Sequence, residues 1–333
     1  MSKTREKYHE IDNLVKATKK VLEVTGNNKE DYHTFRIPKK SGGFRTINAP
    51  AEGLMEFQRL RLQQLYMKTT RPYFAHGFER GRNIYTNARI HCGKKYILNI
   101  DIKDFFPSCT VQHASHSTSF DMEPWEYAKD GVLPQGAPTS PAIANRIMAS
   151  VDNRIVFKVK KWITDDVRYT RYADDITLSS NSRAIFGKAT YEIIKEALAT
   201  KGFKINKKKV RRTSAGRRLE VTGLAINSGK PTVPRKFRRN IRAAVHNAFH
   251  NGVTSSNKGT LEGKIGHIAL CHPKEAKKLL TKLSKASVSK TIDKNKKDSA
   301  ANDSAANDSA ANDSVNNVDT LNAFTFNPFA LNP

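Results

Sequence analysis

Three aspartates pose the chemical question. Asp101 follows the apolar run 96–100, and Asp174 and Asp175 stand side by side between two strand-like runs, 166–171 and 176–180. Neighbouring residues of a regular strand point to opposite faces, but a turn lifts that restriction, so both acids of the pair can approach one point. With Asp101 there as well, three carboxylates meet, an arrangement that is strongly repulsive unless a cation intervenes. The usual resolution is a hard divalent ion, and Mg²⁺ takes a few carboxylates together with substrate phosphates. Two such ions activate an attacking hydroxyl and stabilise the leaving oxygen in an in-line phosphoryl transfer. An isolated Asp-Asp pair is otherwise a solvated turn. The apolar runs beside this one, and a further acid ending another such run, set it apart.

The elements that must position these acids are legible from periodicity. Residues 52–68 carry Leu54, Phe57, Leu60, Leu62, Leu65 and Tyr66, mostly at helical spacing, and 95–102 has the length of a strand. A helix is expected over 141–160, opened by Thr139-Ser140-Pro141, and another over 183–201, ending at Gly202. The runs flanking Tyr172-Ala173-Asp174-Asp175 form a hairpin, and a second hairpin is expected over 217–234, turning near Asn227-Ser228-Gly229. Three basic helices follow at 235–250, 258–270 and 274–285. This order predicts an α+β fold with helices on one face of the sheet.

The chain has 333 residues with 58 Lys+Arg against 31 Asp+Glu, a net charge of +27. Five aspartates are the only charges after Lys297, so residues 1–297 carry +32 and are suited to a polyanion. No stretch approaches the ~18 apolar residues of a membrane span, and nothing resembles a secretory signal. Cys92, Cys109 and Cys271 lie far apart with no CxxC pair, which excludes a disulfide framework and fits the cytoplasm. From Asp298 the pentad DSAAN repeats, so 286–314 reads as a flexible linker; the end of the chain regains Phe and Leu, as a docking peptide or a frayed end.

LNIDIKDFFPS (98–108), LPQGAPTSP (133–141) and YTRYADDITLSS (169–180) resemble, in order, the successive palm motifs of reverse transcriptases. The resemblance implies a right-hand polymerase fold with fingers, a palm of antiparallel sheet backed by helices, and a helical thumb. It makes Asp101, Asp174 and Asp175 the catalytic metal ligands for two Mg²⁺ ions, assisted by the Ile102 carbonyl. Phe106 is then the bulky residue that excludes a ribose 2′-OH, and Gln135 and Gly136 contact the incoming dNTP and the template. FRIPKKSGGFRTINAP (35–50), with Lys39, Lys40 and Arg45 beside its Gly-Gly turn, matches the fingers hairpin, whose basic side chains grip the triphosphate and the template. GFKINKKK (202–209) matches the next palm motif, in which Lys209 neutralises pyrophosphate or donates a proton.

NARIH (87–91) and VTGLAI (221–226) fit elements of bacterial retron reverse transcriptases. Asn87, His91, Val221, Thr222 and Gly223 are accordingly expected at the RNA, with Arg80 and Arg82 as backbone contacts. The basic helix start after Pro234, with Arg235, Arg238, Arg239 and Arg242, suits phosphate tracking. The implied layout is N-terminal helices and fingers over 1–90, palm over 91–230, thumb over 231–285 and a tail over 286–333. The implied activity copies part of a cognate msr-msd noncoding RNA into DNA from a guanosine 2′-OH, giving branched msDNA. Such enzymes serve in anti-phage defence beside a separate effector protein. Other bacterial reverse transcriptases, of group II intron or abortive-infection type, and a non-catalytic RNA binder on the same scaffold stay open.

Overall fold

Antiparallel pairing organises the chain. The computed structural model describes residues 3–25, 32–39, 42–117 and 122–289. Helix α1 (Lys3–Thr25) precedes the hairpin β1 (Tyr32–Pro38) and β2 (Phe44–Pro50), then α2 (Glu52–Lys68) and α3 (Ile84–Ile90). Strand β3 (Tyr96–Lys103), helices α4 (Val111–Ser117) and α5 (Ser140–Trp162), and the hairpin β4 (Arg168–Tyr172) and β5 (Asp175–Ser180) follow. Next come α6 (Lys188–Ala199), β6 (Lys204–Ile205), β7 (Arg211–Ser214) and the short hairpin β8 (Glu220–Val221) and β9 (Leu224–Ala225). The remainder is α7 (Arg235–Asn251), β10 (Val253–Thr254), α8 (Ser255–Ala269), α9 (Pro273–Ser284) and β11 (Val288–Ser289). The chain divides into two compact units, residues 1–234 and 235 onward.

In the first unit, the central sheet runs β4-β5-β3, and both β6 and β7 join the free edge of β3. Alternation along the strands gives the sheet two unlike faces. Leu98, Ile100 and Ile102 of β3, Tyr169 of β4, and Ile176 and Leu178 of β5 share a core with Ile143, Ile147, Val151 and Ile155 of α5 and Ile194 and Leu198 of α6. The opposite face is polar yet buried: Asn99, Thr170, Thr177 and Ser179 are all under 5% exposed.

That buried polar face needs partners, and α3 supplies them. The capping box of Asn83 and Thr86 starts α3, and His91 ends it. The two ring nitrogens of His91 lie 2.7 Å from the hydroxyls of Thr170 and Ser179. Burial pushes His91 down to about 3, so the ring is neutral and serves as one donor and one acceptor.

The elements differ from expectation at several places. The predicted helix 183–201 is a 3-10 turn, Arg183–Phe186, and a separate α6, because the chain is extended at Gly187. Thr139 does not cap α5 with its side chain; Pro141 in the first turn sets the start. The second hairpin turns tightly at Thr222-Gly223, where both φ values are positive, 46° and 80°; the bend near 227–229 then returns Thr232 to Ala225. Of the expected linker, Ala286 is buried and β11 pairs in parallel with β10; the rest of the tail and Lys40 lie outside the described residues.

His91→Ala strands two buried hydroxyls and is expected to lower the unfolding free energy by about 2 kcal/mol. The native ring resists protonation while the unfolded one titrates near 6.5, so wild-type stability falls as pH drops below 6.5. Urea denaturation at pH 7.5 and 5.5 checks both points. Equal stability of the variant, or an acid loss unchanged by removing the ring, contradicts this account.

Candidate active site

Strands β3 and β5 pair with Asp101 opposite Asp175. Both side chains therefore share the polar face, at the sheet end where β5 begins. Asp174 sits in the two-residue turn, and its carbonyl accepts from the Ile102 N–H at 2.8 Å, tying the turn to β3. The pair was expected wholly within the turn; Asp175 is instead the first residue of β5, opposite Tyr172. Ala173 takes the strain of so tight a reversal, at φ 55°.

The electrostatics of these acids are unbalanced. Burial, then the Asp101 charge, pushes Asp174 up; burial, then Asp174, pushes Asp175 up to about 7. One cation stands close. Lys209 Nζ lies 2.8 Å from Asp101 Oδ2, and Asn206 Nδ2 donates to Oδ1 at 3.0 Å. The hydrogen bond to Asp101 raises Lys209 above its ordinary value. Among the three lysines 207–209, the structure thus sets Lys209 against the acids.

Beneath the turn lies a network the sequence reading missed. Arg171 is wholly buried on the core face of β4. Its guanidinium pairs with Asp152 of α5 at 2.9–3.1 Å and donates to Asn145 Oδ1 at 2.9 Å and to the Ala173 carbonyl at 3.1 Å. Burial opposes the charge, but the facing Asp152 carboxylate outweighs it and raises Arg171. Tyr169 donates to the same carboxylate at 2.7 Å. Asn145 also donates to the Gly77 carbonyl and Glu79. A Cβ on Gly77 would stand 2.7 Å from the Ala173 nitrogen, so only glycine lets the 74–82 loop lie against the turn. The signal was present in the spacing Asn145-x6-Asp152 on the buried face of α5, since charged groups are seldom buried unpaired.

Residues 37–233 match the protein family described as reverse transcriptase (RNA-dependent DNA polymerase). The retron Mx65 reverse transcriptase of Myxococcus xanthus is 30% identical over 276 residues, which are 74% of this chain and 63% of that protein. The retron Mx162 reverse transcriptase of Myxococcus xanthus is 31% identical over 76% of this chain and 60% of its own. The retron Ec86 reverse transcriptase of Escherichia coli is 33% identical over 76% of this chain and 81% of its own. The chain belongs to the retron reverse transcriptases. It spans less than two thirds of the two Myxococcus relatives. Its architecture is the α+β polymerase fold of that family, whose members generally use divalent metal ions.

The donor set suits such an ion in kind: of three carboxylates, two are pushed up by burial and mutual repulsion, and among the described residues one cation, Lys209, makes an ion pair with the group. Among the described residues no three acidic, histidine or cysteine side chains already stand as a metal-holding group, and Asp101 is engaged by Lys209 and Asn206.

Around the acids, this family member places the other expected residues unevenly. Phe105 is core, whereas Phe106 is half-buried, its ring 5.3 Å from Phe105 and 6.4 Å from Phe78. Gln135 accepts at its carbonyl from the Asn48 N–H at 2.7 Å. A Cβ on Gly136, at φ 129°, would stand 2.6 Å from the Asn48 carbonyl, so the close approach that this glycine permits is to β2. Arg45 is exposed on β2, and its charge is felt at Asp174. Lys39 follows β1, where its backbone closes the turn onto Gly43.

Several expected RNA contacts of the retron elements are interior groups here. His91 and Asn87 are fully buried, as is Val221. Asn87 donates to Thr222 Oγ1, and Thr222 donates to the Ile84 carbonyl, both at 3.3 Å, so NARIH and VTG grip each other. Gly223 alone of the five is exposed. Arg82 is spent on the carbonyls of Pro72, Tyr73 and Ala75. In the second unit, Arg238 is held by Glu275, while Arg235, Lys236, Arg239 and Arg242 line a hollow of about 250 Å³. No helix among the described residues is long and apolar enough to cross a membrane.

Asp152→Ala leaves a buried guanidinium unpaired and is expected to cost about 3–5 kcal/mol of stability. Arg171→Met with Asp152→Leu removes both charges and should cost clearly less. Denaturant titration of the two proteins decides; equal losses would show that the charges contribute nothing as a pair.

Proposed function

We propose that this protein is an RNA-directed DNA polymerase of the retron kind, copying part of a structured msr-msd RNA into msDNA. The observation that supports it best is the register of β3 and β5, which sets Asp101 beside Asp175 with Asp174 in the adjoining turn. Asp101, Asp174, Asp175 and the Ile102 carbonyl would hold two Mg²⁺ ions. When bound, these supply charge neutralisation for the acids and for the triphosphate, and they lower the pKa of the attacking hydroxyl.

The chain's own residues do the rest. Lys209, charged and exposed beside Asp101, can neutralise the leaving pyrophosphate and give it a proton. Lys39 and Arg45 bring two further cations from the fingers hairpin to the triphosphate. Phe106, backed by Phe105 and Phe78, presents a wall that rejects a ribose 2′-OH by volume. Gln135 and Gly136, pinned to Asn48, form the floor on which the incoming base pair rests. The basic hollow of α7 suits an RNA backbone. The first bond forms from a guanosine 2′-OH of the RNA, and later bonds from the growing DNA 3′ end. In the cell this synthesis belongs to anti-phage defence, beside a separate effector protein.

Asp174→Asn keeps the volume and removes a charge; DNA synthesis is expected to fall at least 1,000-fold while RNA affinity stays within about twofold. Synthesis at the wild-type rate would refute the metal assignment. Phe106→Ala is expected to raise ribonucleotide incorporation about 10- to 100-fold relative to deoxynucleotides. Unchanged sugar selectivity would place the gate elsewhere.

A further inference from the structure

Helix α5 carries an exposed stripe that the active site does not use. Arg154, Phe157, Lys158, Lys161 and Trp162 follow the spacing i, i+3, i+4, i+7, i+8 and so share one face. On the opposite face, Val151, Ile155 and Val159 turn into the core. Phe157 is 65% exposed and Trp162 67%, although rings of this size usually bury most of their area. The Lys161 ammonium stands 5.0 Å from the Trp162 ring and 5.9 Å from that of Phe157. Two carboxylates are near: Glu196, which meets Lys158 at 3.1 Å, and exposed Asp165.

The stripe leads away from the acid turn. Arg171 braces that turn against Asp152, and Trp162 stands ten residues further along α5, a rise of about 15 Å. The segment after it enters β4 at Arg168, the end of the strand remote from the Asp174 turn. An ion pair between Lys94 and Asp166 fastens that segment beside the start of β3, again the end remote from Asp101.

We propose that this stripe binds a single-stranded segment of the template RNA outside the catalytic end. Bases stack on Trp162 and Phe157, and phosphates lie against Arg154, Lys158 and Lys161. Interleaved rings and cations are the chemistry of single-strand binding, because every base has a face to stack and every linkage a charge. The inference rests on the reading of the protein as an RNA-directed polymerase. Product DNA grows from the acids, whereas a long structured template must extend beyond them, and it is the template that can reach the far end of the palm. A second copy of the chain would bring like charge to like charge. A membrane surface asks for a broader apolar face than two rings flanked by exposed Asn153 and Lys160.

The test uses the full chain with Trp125→Phe, which leaves Trp162 as the only tryptophan. Titration with a short oligouridylate is expected to quench its emission. Phe157→Ala should weaken the binding read by that quench about tenfold, and Lys161→Ala should lower the salt slope by about one. Extension of an oligothymidylate primer on polyadenylate should be unchanged in Phe157→Ala/Trp162→Ala, so loss of the stripe and loss of the polymerase reading are separable. Two results would overturn the proposal: no quenching, or quenching only by phosphatidylserine vesicles.

Discussion

The pairing register of β3 with β5 is the constraint on which the site depends. Side chains alternate with a period of two, so a slip of one residue would send Asp101 into the apolar layer beneath the sheet. The register holds because Leu98, Ile100, Ile176 and Leu178 have a single apolar face to occupy. The acids are placed by residues that never touch substrate. The same alternation puts Arg171 on the core side of β4, directly under the turn whose carbonyl it grips. The hairpin is therefore held from both sides, by backbone bonding to β3 and by a guanidinium fixed to α5.

A sheet buried on a polar face is expensive unless its groups are satisfied. Here the two ends of that face are treated differently. Away from the acids, His91 answers the Thr170 and Ser179 hydroxyls, and Asn99 donates to Thr177 at 3.1 Å, so that end is closed and neutral. At the acid end the carboxylates are part-buried with little compensation. A neutral, self-satisfied end and a charged, unbalanced end on one sheet separate scaffold from chemistry. The retron elements belong to the first category, for Asn87, His91 and Thr222 bond within the protein.

The elements with long, regular patterns were legible in the sequence. Helix α2 spans Glu52–Lys68 as expected, and the hairpin around Asp174 was evident from its two apolar runs. The break at Gly187 was not, because the apolar spacing of 183–201 continues through it and only the local backbone interrupts the helix. The juxtaposition of Asp101 with Asp175 could be read because each stands at the end of an apolar run, and the two runs pair. The Arg171 network was missed: Asn145 and Asp152 mark polar groups on the apolar face of α5, but nothing in their spacing names Arg171 of β4 as the partner. His91 and Asn87 were read as RNA contacts for the same reason: polarity in a sequence does not reveal whether the partner is solvent, ligand or another strand.

The strong positive charge of the chain bears on the acids as well as on RNA. Asp101, Asp174 and Asp175 gather negative charge inside a protein of net charge +27, yet among the described residues only Lys209 makes an ion pair with them. Arg45 contributes through space and Arg211 acts on Asp175 in the same way. Such restraint has a physical reason. A cluster fully neutralised by fixed arginines would be more stable and would have no need of an external cation, and function and stability often part at such sites. Lysine suits the one close contact, being a flexible point charge whose bond to Asp101 is lost at less cost than a bidentate arginine pair. The shortage of ion-paired positive charge is thus built by the choice of neighbours, and it is the electrostatic condition that the proposed metal site would need.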